Sequence, residues 1–135
     1  MYLFDTDVIT NIFKKKPSRN LLQRLKVLDH QQQFISTITV YEIIYGACKS
    51  NRPDHHLENL ETILLPAVNV VGFDIGAAYV CGRLRSELER KGESVPIADL
   101  QIAAIALAHE LILITGNQKH FKRIPGLQVE DWLQG

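Results

Sequence analysis

An α/β/α sandwich built around a mostly parallel central sheet of about five strands is the fold that this chain of 135 residues predicts. Three observations carry it. Five short β-like runs alternate with longer helical patterns along the chain. The middle runs are almost continuously apolar, as strands covered on both faces must be. Strands that alternate with helices are joined by crossovers, and crossovers make a sheet parallel.

The elements follow in order. "MYLF" reads as the first strand, and Asp5 and Asp7 stand directly after it. Leu21, Leu22, Leu25 and Leu28 repeat at helical spacing before "QFIS", the second strand. Tyr41, Ile44, Tyr45 and Cys48 repeat in the same way, then Leu57, Leu60 and Leu64, before the third strand in "VNVVGF". Ala77, Cys81, Leu84 and Leu88 mark the next helix, and "VPIADLQIAAIALA" opens one that is apolar on nearly every side. "LILIT" and "LQVE" complete the strands, while Pro17, "NRPD", Pro66, "KGESVP" and "IPG" punctuate the elements as turns. No internal repeat or low-complexity tract interrupts the pattern, and residues 1–135 are expected to form one domain.

Composition narrows the function. Fifteen Lys and Arg cancel fifteen Asp and Glu, which excludes a protein that coats nucleic acid by bulk charge. The first 30 residues are locally basic through Lys14, Lys15, Lys16, Arg19, Arg24 and Lys26. Asp5 and Asp7 break the opening stretch where a secretory signal would be apolar, so the protein is expected in the cytoplasm. No uncharged apolar run reaches the roughly 20 residues that span a bilayer, so no membrane association is expected. Cys48 and Cys81 form no CxxC pair; both fall on apolar helical stripes and are expected as buried free thiols.

Parallel sheets bind ligands at the carboxyl ends of their strands, where Asp5 and Asp7 would sit. Three chemistries place acids there. A haloacid-dehalogenase-like phosphotransferase uses DxD followed by Thr or Val, but Ile9 stands in that place, and "TGNQKHF" after "LILIT" lacks the late acidic pair for Mg²⁺. A receiver-type phosphoacceptor would use Asp74 and Thr115 but finds no Lys in "LQVEDW". The third chemistry, metal-dependent phosphodiester hydrolysis, needs carboxylates that converge from distant parts of the chain. Glu42, a charge in the apolar "STITVYEIIYG", and Asp99, at the start of the most apolar helix, are the other conspicuous acids. A buried carboxylate must find a partner or lose its charge.

Four motifs then carry a family resemblance: "LFDTDVI", "TVYEIIYGA", "IADLQIAAIAL" and "LITGNQKHFKRIPGLQVEDW". In this order, over nearly the whole chain, they resemble a PIN-domain ribonuclease of the VapC-like toxin type. The resemblance implies Asp5, Glu42 and Asp99 as catalytic, metal-binding carboxylates and Thr115 as a hydrogen-bonding partner within the acidic cluster. Asp7 stands where such toxins often have Asn, and Asn117 stands where many relatives carry a fourth acid; both are supporting residues. The resemblance implies an endoribonuclease, a hydrolase dependent on Mg²⁺ with Mn²⁺ as a substitute, that leaves a 5′-phosphate and a 3′-hydroxyl. Its substrate would be structured or single-stranded RNA, a tRNA loop among the candidates. It also implies a homodimer, and an antitoxin protein whose helix lies in a groove near the acids, walled by helices carrying "IFKKKP" and "VYEIIYGA".

Plainer roles stand beside these. Asp5 or Asp7 would cap the first helix, and Asp99 would complement the positive end of its own helix. The alternative functions are a noncatalytic RNA- or protein-binding module with structural acids, and the receiver-like domain. The five His show no zinc-site spacing and are expected at the surface. Trp132 is expected in the core or an interface, and Arg83 and Arg85 as solvated helix charge.

Overall fold

β1 (Tyr2–Phe4) runs through the middle of a five-stranded sheet, because Leu3 and Phe4 point to opposite faces and both are buried. β2 (Gln33–Ser36) pairs with it on one side and β4 (Ile112–Ile114) on the other. β3 (Asn69–Val71) lies outside β2 and β5 (Val129–Glu130) outside β4, giving the order β3-β2-β1-β4-β5 with every pairing parallel. The computed structural model describes residues 1–134.

Helices cover both faces. On one side, α1 (Thr6–Ile12), α2 (Arg19–Lys26) and a π-helical stretch over Leu60–Leu64 enclose Phe4, Val8, Leu21, Ile35, Ile114 and Trp132. That stretch links α4 (Pro53–Asn59) to the single turn of α5 (Leu65–Ala67), where the sequence predicts one continuous helix. On the other side, α6 (Ile75–Arg90), α7 (Ile97–Ala108) and α8 (Gln118–Phe121) enclose Leu3, Leu84, Ile105, Leu113 and Phe121. Residues Ile102 to Ala106 of α7 are all buried, so this helix is fixed along most of its length. Each large side chain buried there contributes about 1.5 to 3 kcal/mol. Gly92, at φ 73°, takes the left-handed conformation that stops α6 within the predicted "KGESVP" turn.

α3 (Thr37–Lys49) departs from expectation. Its buried line runs through Thr39 and Ala47 with Val40 and Ile43 beside it, whereas Tyr41, Ile44, Tyr45 and Cys48 are exposed. Cys48 is therefore a solvent-facing thiol and Cys81 is half-buried, in place of the two buried thiols expected. The cause is that α3 has two apolar stripes, and periodicity alone does not say which one meets the sheet. "IFKKKP" also differs: α1 ends at Ile12, and Phe13 to Lys16 form a turn. Trp132 lies in the core, where Ser18 Oγ and Asn20 Nδ2 donate to its carbonyl and tie the C-terminal segment to α2. Among the described residues no helix is long and apolar enough to cross a membrane.

Candidate active site

From β1 the chain crosses over to β2 and β3 on one side, and only later returns to place β4 on the other side of β1. Connections leaving β1 and β4 thus part company, and the crevice between such strands at their carboxyl ends is the natural ligand site of an open parallel sheet. Asp5 follows β1 and Thr115 follows β4. Thr115, fully buried, donates its hydroxyl to Asp5 Oδ2 at 2.8 Å. The other oxygen of Asp5 accepts the Thr6 N–H at 2.8 Å, so this carboxylate caps α1 and stands in the crevice at once.

Asp7 joins the same cluster. Its Oδ2 accepts the Gly116 N–H at 2.9 Å, and its Oδ1 lies 3.4 Å from the Thr115 hydroxyl. That hydroxyl has one proton, and the shorter contact to Asp5 takes it. Gly116 makes the approach possible: a Cβ there would stand 3.0 Å from Asp7 Oδ2 and 2.7 Å from Leu133 Cδ1.

Glu42, on α3, reaches the crevice through Thr6, whose hydroxyl donates to Glu42 Oε1 at 2.6 Å. Thr39 Oγ1 stands 3.1 Å from that same hydroxyl, and Ser36 Oγ caps α3 by accepting the Thr39 N–H. A short chain of hydroxyls therefore links the ends of β1 and β2. Asp99 sits in the first turn of α7, with Leu100 beside it 2% exposed. Its Oδ2 lies 2.5 Å from His120 Nδ1. Asn117 donates its N–H to Thr115 Oγ1 at 3.0 Å, and its side-chain amide lies 3.2 Å from the same ring nitrogen of His120.

Burial dominates the electrostatics. The Asp5 carboxyl is pushed up to about 6, first by its loss of solvent and only then by the charges of Asp7 and Asp99, against the opposing hydrogen bonds from Thr115 and Thr6. Asp7 is pushed up as well, again mainly by burial, with Asp131 as the nearby like charge. Repulsion between the acids is the smaller contribution. Asp5, Asp7 and Glu42 make no ion pair among the described residues.

The residues suit a hard divalent cation. Their donors are carboxylate oxygens, and a buried carboxylate without a cationic partner gains most from one. Among the described residues no three His, Cys, Asp or Glu side chains stand as a ready ligand group.

Of the six sequence-predicted residues, hydrogen bonds join Asp5, Asp7, Thr115 and Asn117 around the end of β1, while Glu42 is held by Thr6 and Asp99 by His120. His120 was expected as an unattached surface residue; the structure sets it against Asp99. The sequence signal was its place three residues after Asn117, which puts both on one side of a single helical turn. Thr6 was missed too, between the two acids that drew attention. His109 pairs with Asp74 at 2.8 Å, and Asp74 caps α6 through Ala77, so the acid that a receiver-like site would use is engaged at the sheet edge. Arg85 pairs with Glu89 along its own exposed helix, as solvated charge does.

Residues 2–127 match the PIN domain family model, and the chain belongs to that family. Its relatives include the tRNA(fMet)-specific endonuclease VapC of Salmonella typhimurium, 37% identical over 97% of both chains. Ribonuclease VapC2 of Rickettsia felis is 34% identical over 98% of both. Among solved structures, DNA-bound VapBC from Salmonella typhimurium superposes with a TM-score of 0.89 at 36% identity, covering 97% of each chain. VapBC-1 from nontypeable Haemophilus influenzae superposes with a TM-score of 0.89 at 31% identity, covering 98% of each. The fold expected from the four motifs, a PIN domain of the kind found in VapBC toxin-antitoxin complexes, is the fold observed.

Proposed function

We propose that this protein is the endoribonuclease toxin of a type II toxin-antitoxin pair, dependent on Mg²⁺ or Mn²⁺, with Asp5, Glu42 and Asp99 as the metal-holding carboxylates. The observation that carries the reading is Asp5. This carboxylate is 6% exposed, fixed by Thr115 and the Thr6 N–H, and lacks a basic partner among the described residues. Both fixing groups favour its ionised form, so it is kept oriented for a cation rather than left to rotate. The relatives' names support ribonuclease chemistry, and a tRNA is the substrate class that the Salmonella relative's name suggests.

A bound divalent ion would make water a nucleophile near neutral pH and offset the charge that builds on a scissile phosphate. The protein's own part is positioning. Thr115 and Thr6 orient Asp5, Gly116 holds Asp7 beside it, and Thr6 also holds Glu42 in reach of the same crevice. Asp99 approaches from the fixed first turn of α7. Water attack on the phosphorus leaves a 5′-phosphate and a 3′-hydroxyl, and no side chain forms a covalent intermediate.

The antitoxin has a fitting place. A cleft of about 300 Å³ is lined by Ile9, Phe13, Ile43, Ala47, Leu60 and Leu64, and Thr6 and Glu42 line it too. An apolar helix face suits such a groove and would end at the acids. The exposed Tyr41, Ile44 and Tyr45 stripe of α3 supports a homodimer, and the reading implies a cytoplasmic protein. Incubating the purified chain, freed of antitoxin, with total RNA tests the proposal. Cleavage with Mg²⁺ that stops with chelator and in Asp5→Asn supports it; RNA binding without cleavage in either protein would favour a noncatalytic module.

A further inference from the structure

His120 enters the crevice by a route that the ligand set of Asp5, Glu42 and Asp99 does not use. Both ends of its 2.5 Å contact with Asp99 are anchored by core neighbours: Leu100, beside Asp99, is 2% exposed and Phe121, beside His120, is 1% exposed. An ionised carboxylate offers only acceptors, so Nδ1 must carry the proton. The charged ring and the Nδ1–H tautomer of the neutral ring both meet this condition. A ring nitrogen that donates has one proton and no lone pair left; the shorter contact to Asp99 takes that proton, and the Asn117 amide at 3.2 Å is a neighbour of the ring rather than a second hydrogen-bond partner of Nδ1.

We infer that His120 is a positioning residue: its Nδ1–H takes Oδ2 of Asp99, fixes the carboxylate's rotation, and leaves Oδ1 as the oxygen presented to the cation. The inference rests on the functional reading above. Groups that hold a metal ligand in this way typically change metal affinity by about 10- to 100-fold when removed. Asn117 and Thr115 extend the same line of contacts to Asp5, joining the two acids through His120.

Calorimetric titration with Mn²⁺ of the wild type, Asp99→Asn, His120→Ala and His120→Asn tests it, with RNA cleavage as a second readout. The His120 side chain is 41% exposed, so its variants leave the core intact. Asn places an N–H near the position of Nδ1 but has nothing at Nε2. The expected result is a loss of roughly tenfold or more in Mn²⁺ affinity for His120→Ala, recovered in large part by His120→Asn. Wild-type affinity in His120→Ala, with affinity lost in Asp99→Asn, overturns the inference alone. Equal losses in His120→Ala and His120→Asn also overturn it, because the role would then lie with Nε2. Wild-type affinity in Asp99→Asn overturns the functional reading and the inference with it.

Discussion

Replacing Asp5 by Asn removes a charge that opposes folding, so an essential acid should be a stability liability. A carboxyl raised from 3.8 to about 6 holds its proton more tightly in the folded state than in the unfolded one. The folded protein is therefore penalised as pH rises through the unfolded range near 4, and the penalty is complete above about 6. At about 1.36 kcal/mol for each tenfold change in proton affinity, the full penalty is roughly 3 kcal/mol. Asn can keep the hydrogen bonds. Its oxygen accepts the Thr6 N–H, its amide donates to Thr115 Oγ1, and the Thr115 hydroxyl is then free to donate to Asp7 Oδ1. Allowing about 1 kcal/mol for imperfect exchange, the variant should be about 2 kcal/mol more stable at pH 7, on the order of 6 °C in Tm for a chain of this size. Thermal melts in chelator from pH 4 to pH 8 measure it: the gap should close toward pH 4. In Mn²⁺ at 100 times Kd the wild type should recover about 2.7 kcal/mol and the variant far less. A variant that melts below the wild type at pH 7 in chelator, or a gap that does not change with pH, would mean that the Asp5 charge does not oppose folding.

Two further substitutions probe the neighbours of the acids. Thr6→Val keeps the shape of the side chain but removes the hydroxyl that holds Glu42 at 2.6 Å; RNA cleavage should fall on the order of tenfold, while denaturant unfolding shows a loss of no more than about 1.5 kcal/mol. Asn117→Asp adds a carboxylate to the proposed ligands Asp5, Glu42 and Asp99, one residue beyond Gly116 and in contact with His120. Calorimetry should then report tighter Mn²⁺ binding, since one more anion strengthens attraction for a hard dication, and unchanged affinity would place Asn117 outside the site.

The parts legible in the sequence were those set by local pattern. "QFIS" matches β2 residue for residue, and the acids of "LFDTDVI" follow β1 as expected, because alternating strands and helices leave few topologies open. Thr115 beside Asp5 followed from the resemblance and is seen at 2.8 Å. Three features were not legible, each for a physical reason. The outward stripe of α3 depends on which of its two apolar stripes meets the sheet, a choice made by Ile38, Val40 and Ile43 packing into the two cores. The contact of His120 with Asp99 joins residues 21 apart and forms only once α7 and α8 pack together. Thr6 is an ordinary helix-start residue until α3 brings Glu42 against it.

On the proposed function, one crevice served by Asp5, Glu42 and Asp99 cuts RNA with a divalent cation. Its most direct test is to sequence both ends of the fragments that the antitoxin-free protein makes from a tRNA pool, with Mg²⁺ and with chelator, alongside Asp5→Asn, Glu42→Gln and Asp99→Asn. Discrete cuts with 5′-phosphate and 3′-hydroxyl ends are expected in the wild type with metal, and their loss in chelator and in each variant. Cuts at the same positions in all three variants, or 2′,3′-cyclic phosphate ends that form in chelator, would contradict it.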